Sequence, residues 1–243
     1  MSICGILVEP RPLRAIPILI DNFFRVLPST PLYMFCGCSS YPHFTTLYKN
    51  NYLVRVISLV KDNLPGHEYN DLLKTRQFWD HIQEDYALTI QTDGCLCESS
   101  TYKIQDFLHY DYIGGYTPNK WWWKETQGLH SYDDYQCFNG GFSLRKVSCM
   151  KEVIDTFPPA PSQGFVTGLS FESYPEDLYF VVGLLKLGRN VALDEFAINF
   201  CTHTHYVAKT FCVHKYDNYV DEPTLKKFLE YCPLFFYFST LPV

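Results

Sequence analysis

The sequence predicts an α/β fold: a mostly parallel central sheet flanked by helices, with a more irregular C-terminal half. Three observations predict it. Over residues 1–90, short apolar runs of strand character alternate with segments whose apolar residues recur at helical spacing. That order builds parallel sheets covered by helices on both faces. Hydrophobic residues make up 47% and charged residues 19%, which suits a packed core and excludes a disordered chain. No stretch rich in Pro, Gly or Ser divides the 243 residues, so a single domain over 1–243 is expected.

The elements follow in order. Ile3–Val8 is an apolar run with strand character, stopped by Glu9-Pro10-Arg11-Pro12. Helical spacing then runs through Ile16, Ile20, Phe23, Phe24 and Leu27. Leu32–Cys36 reads as a second strand, ended by Gly37, and the β-branched stretch Tyr52–Val60 as a third. Apolar positions at Leu72, Leu73, Phe78, Trp79 and Ile82 predict one helix over Tyr69–Gln83. Tyr86–Thr92 is a fourth strand and runs directly into Asp93-Gly94. Beyond it, Tyr110–Gly115 and Gly141–Leu144 have strand character, Ser148–Phe157 and Pro175–Leu187 helical character, and 158–168 reads as a surface loop.

Composition narrows the function. The formal charge of −6 argues against a broad electrostatic grip on nucleic acid. No apolar run reaches the roughly 20 residues of a membrane span. The opening residues lack the basic and long apolar regions of a secretory signal, so a soluble, cytoplasmic protein is expected (in the host cytoplasm if the chain is viral). Ten cysteines include two C-x-C pairs, Cys36/Cys38 and Cys95/Cys97, but neither has zinc-site spacing. Buried free thiols are the expectation.

In an open parallel sheet, ligands bind outside the carboxyl ends of the strands. The first strand delivers Glu9 and Arg11 there, and the fourth delivers Gln91, Thr92 and Asp93. Three further constellations stand out: Cys137-Phe138-Asn139-Gly140-Gly141, Pro175-Glu176-Asp177, and Phe211-Cys212-Val213-His214-Lys215. Each has an ordinary explanation taken singly. Asp is a common turn residue, Asn-Gly specifies hairpin turns, and acids favour the first turn of a helix.

Their order along the chain is more specific. VEPRP at 8–12, NDLLKTRQFWDHI at 70–82, LTIQTDGCLC at 88–97, DFLHYDYIGG at 106–115, FNGGFSLR at 138–145, PEDLYF at 175–180 and VHK at 213–215 together resemble nucleotide-sugar-dependent glycosyltransferases of the GT-A fold. Within that fold the chain is most similar to a poorly characterised glycosyltransferase-like family found in fungi, bacteria and large DNA viruses. The resemblance implies a GT-A-like, Rossmann-like sheet and a hexosyltransferase-like enzyme. Its expected partners are a nucleotide sugar, with a UDP-sugar favoured, and a glycan or other hydroxyl acceptor. The alternative is a non-catalytic nucleotide- or glycan-binding protein on the same scaffold.

The resemblance also implies roles. Asp93 matches the carboxylate that meets a divalent cation, Mn or Mg, and His214 the late histidine of that metal site. The first acid of the signature is replaced here by Gln91. A cation on the leaving diphosphate offsets its developing charge, and Lys215, with Arg11 and Lys74 as further candidates, adds positive charge there. Asp177 matches the general base of inverting enzymes, with Glu176 the alternative. Asn139, Gly140 and Gly141 are expected to line the sugar pocket. Of the run Trp121-Trp122-Trp123, three consecutive indoles cannot all point inward from one strand, which makes Trp121 a candidate for the acceptor cleft.

Overall fold

The structure, a computed structural model, describes residues 1–117, 136–163 and 169–240. Trp121 lies outside them. Six strands form the central sheet: β1 (Ile3–Val8), β2 (Leu32–Cys36), β3 (Val54–Ser58), β4 (Tyr86–Ile90), β6 (Tyr112–Tyr116) and β7 (Cys137–Lys146). Their order is β3-β2-β1-β4-β7-β6. The first four run parallel, while β7 pairs antiparallel with both β4 and β6. A second, smaller sheet holds β5 (Gly94–Leu96), β9 (Cys212–His214) and β8 (Cys201–Thr202), in that order.

Strand alternation explains why both faces are covered. In β1, Cys4, Ile6 and Val8 join one apolar cluster and Leu7 the other; in β2, Tyr33 and Phe35 oppose Leu32 and Met34. One face buries α1 (Ala15–Val26) and the C-terminal helices α7 (Glu222–Tyr231) and α8 (Phe235–Thr240), with Phe23, Phe142, Phe211 and Phe228 in the core. The other face buries α3 (Gly66–Leu73), α4 (Arg76–Asp80), α5 (Val147–Thr156) and α6 (Glu176–Lys186) around Trp79, Tyr179 and Phe180. A short helix, α2 (Tyr41–Leu47), links β2 to β3. All ten cysteines are free thiols, and nine of them are buried.

Two expectations need correction. The single helix over Tyr69–Gln83 is two helices. Thr75 leaves helical geometry (φ −89°, ψ 142°), and its side chain accepts a hydrogen bond from Phe78 N at 3.2 Å, starting α4 afresh. The Asn139-Gly140 pair makes no hairpin turn; both residues lie inside β7, which is longer than the Gly141–Leu144 core suggests. The small sheet and the helices α2, α7 and α8 went unread in the sequence. No helix among the described residues is long and apolar enough to cross a membrane.

The order β3-β2-β1-β4 places a switch point between β1 and β4, where crossovers leave in opposite directions and a crevice opens. Leu7 pairs with Ile90, so the exits of the two strands lie side by side.

Candidate active site

At that crevice a cavity of about 280 Å³ is lined by Glu9, Arg11, Gly66, Tyr69, Gln91, Thr92, Asp93 and Lys215, among others. Six of the residues singled out in the sequence therefore meet in one place. A larger cavity, of about 630 Å³, opens beside the 27–30 turn that feeds the amino end of β2, and none of the expected site residues lines it.

The central contact joins two distant segments. β5 and β9 pair antiparallel with Gly94 opposite His214, and Lys215 N donates to Asp93 O at 3.0 Å. The register sets Asp93 beside both basic residues. Its Oδ1 lies 3.0 Å from His214 Nε2 and its Oδ2 3.1 Å from Lys215 Nζ. Lys215 adopts the left-handed conformation (φ 49°), turning the chain sharply out of β9. Burial disfavours the Asp93 carboxylate, but His214 and Lys215 outweigh it and hold its carboxyl below the usual carboxylate range.

His214 is buried, and contacts besides Asp93 set its ring. His203 stacks on it, with centroids 5.1 Å apart, and His203 Nδ1 lies 2.8 Å from His214 O. Burial, reinforced by His214, lowers the His203 pKa to about 4, so this second ring is neutral packing. The backbone of Gly141 lies against the ring: a Cβ there would sit 2.1 Å from His214 Cε1. Gln91 Oε1 lies 3.1 Å from His214 Nε2, and Gln91 Nε2 donates to Tyr69 Oη at 3.0 Å.

The acids at the start of α6 have different fates. Glu176 is buried and forms a two-point ion pair with Arg145 of β7, whose guanidinium is fully buried under Tyr112 and Phe180. Arg145 also donates to Ser143 Oγ at 2.8 Å and Gly140 O at 3.2 Å. Both Glu176 oxygens face the Arg145 guanidinium, whereas the oxygens of Asp177 accept only from backbone N–H groups. Asp177 is half-buried. Its Oδ2 accepts from Gly140 N at 3.2 Å and its Oδ1 from Leu178 N at 2.8 Å. Burial, then the neighbouring Glu176 charge, raises its pKa to about 6.

The glycines take their necessity from these side chains. A Cβ on Gly140 would meet Glu176 Oε1 at 2.5 Å, and one on Gly141 the imidazole. Bare backbone at 140–141 lets Asp177 and His214 approach opposite faces of one strand. Asn139 folds back, accepting from Gly141 N at 3.1 Å.

Arg11 and Lys74 differ from expectation. Arg11 lines the cavity but is clamped by Glu9, with Nε to Oε1 at 2.8 Å and Nη2 to Oε2 at 2.9 Å. Lys74 is buried elsewhere. Its ammonium donates to Ala160 O at 2.7 Å and to Glu172 O and Tyr174 O at 3.2 Å, holding these three backbone positions together. It has no donor left for a phosphate. Tyr69, Arg145 and His203 were missed. Arg145 lies within the FNGGFSLR segment, but nothing in its local sequence marks it as the partner of Glu176.

The donor set fits a divalent cation. Asp93 Oδ1 is buried without a hydrogen-bond partner, and it lies 3.0 Å from His214 Nε2, so a carboxylate oxygen and an imidazole nitrogen that would both serve such an ion are side by side. Among the described residues no three His, Cys, Asp or Glu side chains gather to hold a metal.

The model of a family described as protein of unknown function (DUF5672) matches residues 54–218. No curated protein matches the sequence. Among solved structures the chain is similar to the galactosyltransferase LgtC in complex with donor and acceptor sugar analogues. That match covers 100% of this chain and 98% of that one, with a TM-score of 0.57 at 12% identity. The mixed α/β architecture is thus the GT-A fold.

Proposed function

The chain belongs to the DUF5672 family of proteins of unknown function, and from its fold and site we propose that it is a glycosyltransferase moving a sugar from a nucleotide donor to a hydroxyl acceptor. The observation that carries this reading is the convergence of Glu9, Arg11, Gln91, Thr92, Asp93 and Lys215 on one cavity at the switch point, with His214 beside Asp93. LgtC, solved with donor and acceptor sugar analogues, supports it as an analogy of fold.

Asp93 and His214 would hold the cation, which when bound offsets charge on the donor's diphosphate. Lys215 extends positive charge to the same end of the cavity. Asp177 is the base. A carboxylate with a pKa near 6 is ionised at neutral pH yet takes a proton more readily than an ordinary aspartate. The acceptor's O–H proton passes to an Asp177 oxygen as the acceptor oxygen bonds to the anomeric carbon. The bond from that carbon to the diphosphate oxygen breaks, and its electron pair leaves with the nucleoside diphosphate. A single displacement of this kind inverts configuration. Gly140 N, donating to Asp177 Oδ2, aims the carboxylate.

The test is release of nucleoside diphosphate from a panel of UDP- and GDP-sugars, with and without Mn²⁺ and with simple glycoside acceptors. Turnover that disappears in Asp93→Ala and Asp177→Asn supports the reading. Donor binding without turnover under every condition would make the protein a binding module instead.

A further inference from the structure

The cation site has an acid fewer than the pattern it resembles, and Gln91 occupies that place. Its amide is oriented from both ends: Nε2 donates to Tyr69 Oη at 3.0 Å, which turns Oε1 toward His214 Nε2, 3.1 Å away. Asp93 Oδ1 lies 3.0 Å from the same nitrogen. Nε2 can offer at most one proton to these two oxygens, and Asp93 Oδ1 is left buried without a hydrogen bond. Three Lewis-basic atoms, one each from an amide, a carboxylate and an imidazole, thus crowd a small space that hydrogen bonding alone does not satisfy.

We infer that Gln91, aimed by Tyr69, is the third and uncharged protein ligand of this site, and that the cation enters it chiefly together with a nucleoside diphosphate. The inference rests on the donor-site reading above. Amide oxygens are good ligands for hard cations but bring no charge. The one carboxylate, Asp93, is already paired with Lys215 at 3.1 Å. The charged residues lining the cavity are Glu9, Arg11, Asp93 and Lys215, which sum to zero. Such a site attracts a free divalent cation weakly, and an unaccompanied diphosphate weakly as well. Each supplies the charge the other needs. Their binding is therefore coupled, and the coupling is reciprocal.

The experiment is titration of the full chain with Mn²⁺, free Mn²⁺ being read by electron paramagnetic resonance, alone and with saturating UDP, GDP or ADP. In the wild-type chain one of these nucleotides should tighten Mn²⁺ binding at least about tenfold, and Mn²⁺ should tighten that nucleotide by the same factor. Gln91→Leu should weaken Mn²⁺ about tenfold or more, and water-proton relaxation should find one more water on each bound ion. Tyr69→Phe should weaken Mn²⁺ by about 10- to 100-fold, the usual effect of removing an outer partner. Gln91→Glu keeps the shape and adds a charge, so it should bind Mn²⁺ alone more tightly than wild type does. It also serves if the leucine variant fails to fold. Unchanged Mn²⁺ affinity and water count in both Gln91 variants, with binding lost in Asp93→Asn, would overturn Gln91 as a ligand and leave the donor-site reading standing. Equal Mn²⁺ affinity with and without every nucleotide would overturn the coupling. No Mn²⁺ binding to the wild type under any condition would overturn both readings.

Discussion

Asp177 shows how a residue's surroundings set its chemistry. It shares a helical turn with Glu176, yet only Glu176 finds an arginine. Burial beside that acid lifts the Asp177 pKa to about 6. Turnover should therefore fall on an acid limb near pH 6 as Asp177 takes up its proton. Asp177→Asn should lower kcat by about 10²–10⁴-fold and leave donor affinity nearly unchanged. The raised pKa also fixes the sign of a stability effect. Between about pH 4 and pH 6 the folded protein binds a proton that the unfolded chain has released, so this residue's contribution to stability declines as pH rises through that window. Above it, the charged side chain is a standing cost. Asp177→Asn should accordingly raise stability at pH 7–8 by about 1–2 kcal/mol, measured by urea denaturation, with the gain vanishing near pH 4. A loss of stability at pH 8 would contradict the raised pKa. Lys74 makes the converse point: a cation in a matching sequence segment is spent on three carbonyls.

At the scale of elements, β7 organises the site. Its first residues pass between α6 on one face and β9 on the other, and the absence of side chains at 140 and 141 permits both approaches. Gly141→Ala should force the His214 ring aside at a cost of about 1–3 kcal/mol, typical of overpacking. It should also weaken Mn²⁺ binding under conditions where the variant remains folded; normal Mn²⁺ binding in a folded variant would show that the ring position is unimportant. Farther along the strand, Arg145 braces α6 through Glu176. Arg145→Leu leaves a buried, unpaired carboxylate and should destabilise by about 3–5 kcal/mol, whereas Arg145→Leu with Glu176→Gln should recover much of that loss. Chemical denaturation of the two single variants and the double variant measures the coupling.

For the whole molecule, the decisive arrangement is the meeting of two sheets. The switch point in the large sheet brings together the exits of β1 and β4, and the small sheet carries His214 and Lys215 to the same crevice. A ligand in that crevice bridges both sheets, so its binding should stabilise the entire fold. At a donor concentration about 100 times its Kd the gain is about 2.7 kcal/mol. For a chain of this size that corresponds to a rise in Tm of roughly 5–10 °C. The rise should require Mn²⁺ and disappear on chelation. A nucleotide sugar that is turned over yet gives no metal-dependent rise would place donor binding outside this crevice.

Local sequence was enough for the class of fold, for the strands β1, β2 and β4 nearly to the residue, and for the segments that form the cavity. These features depend on short-range periodicity and on the residues directly after each strand, both read within a few neighbouring positions. The break at Thr75 escaped it because the apolar spacing continues across the cap. How the candidate residues divide was settled by tertiary packing alone. His214 reaches Gln91 from 123 residues away only because β5 and β9 pair in one register. Glu176 and Asp177 are near-equivalent acids in sequence; Arg145, buried beneath one and not the other, makes the first a brace and the second a candidate base. Partnership across the chain depends on side-chain direction and burial. Both emerge when the sheets pack, so composition and spacing could name the participants but not assign their contacts.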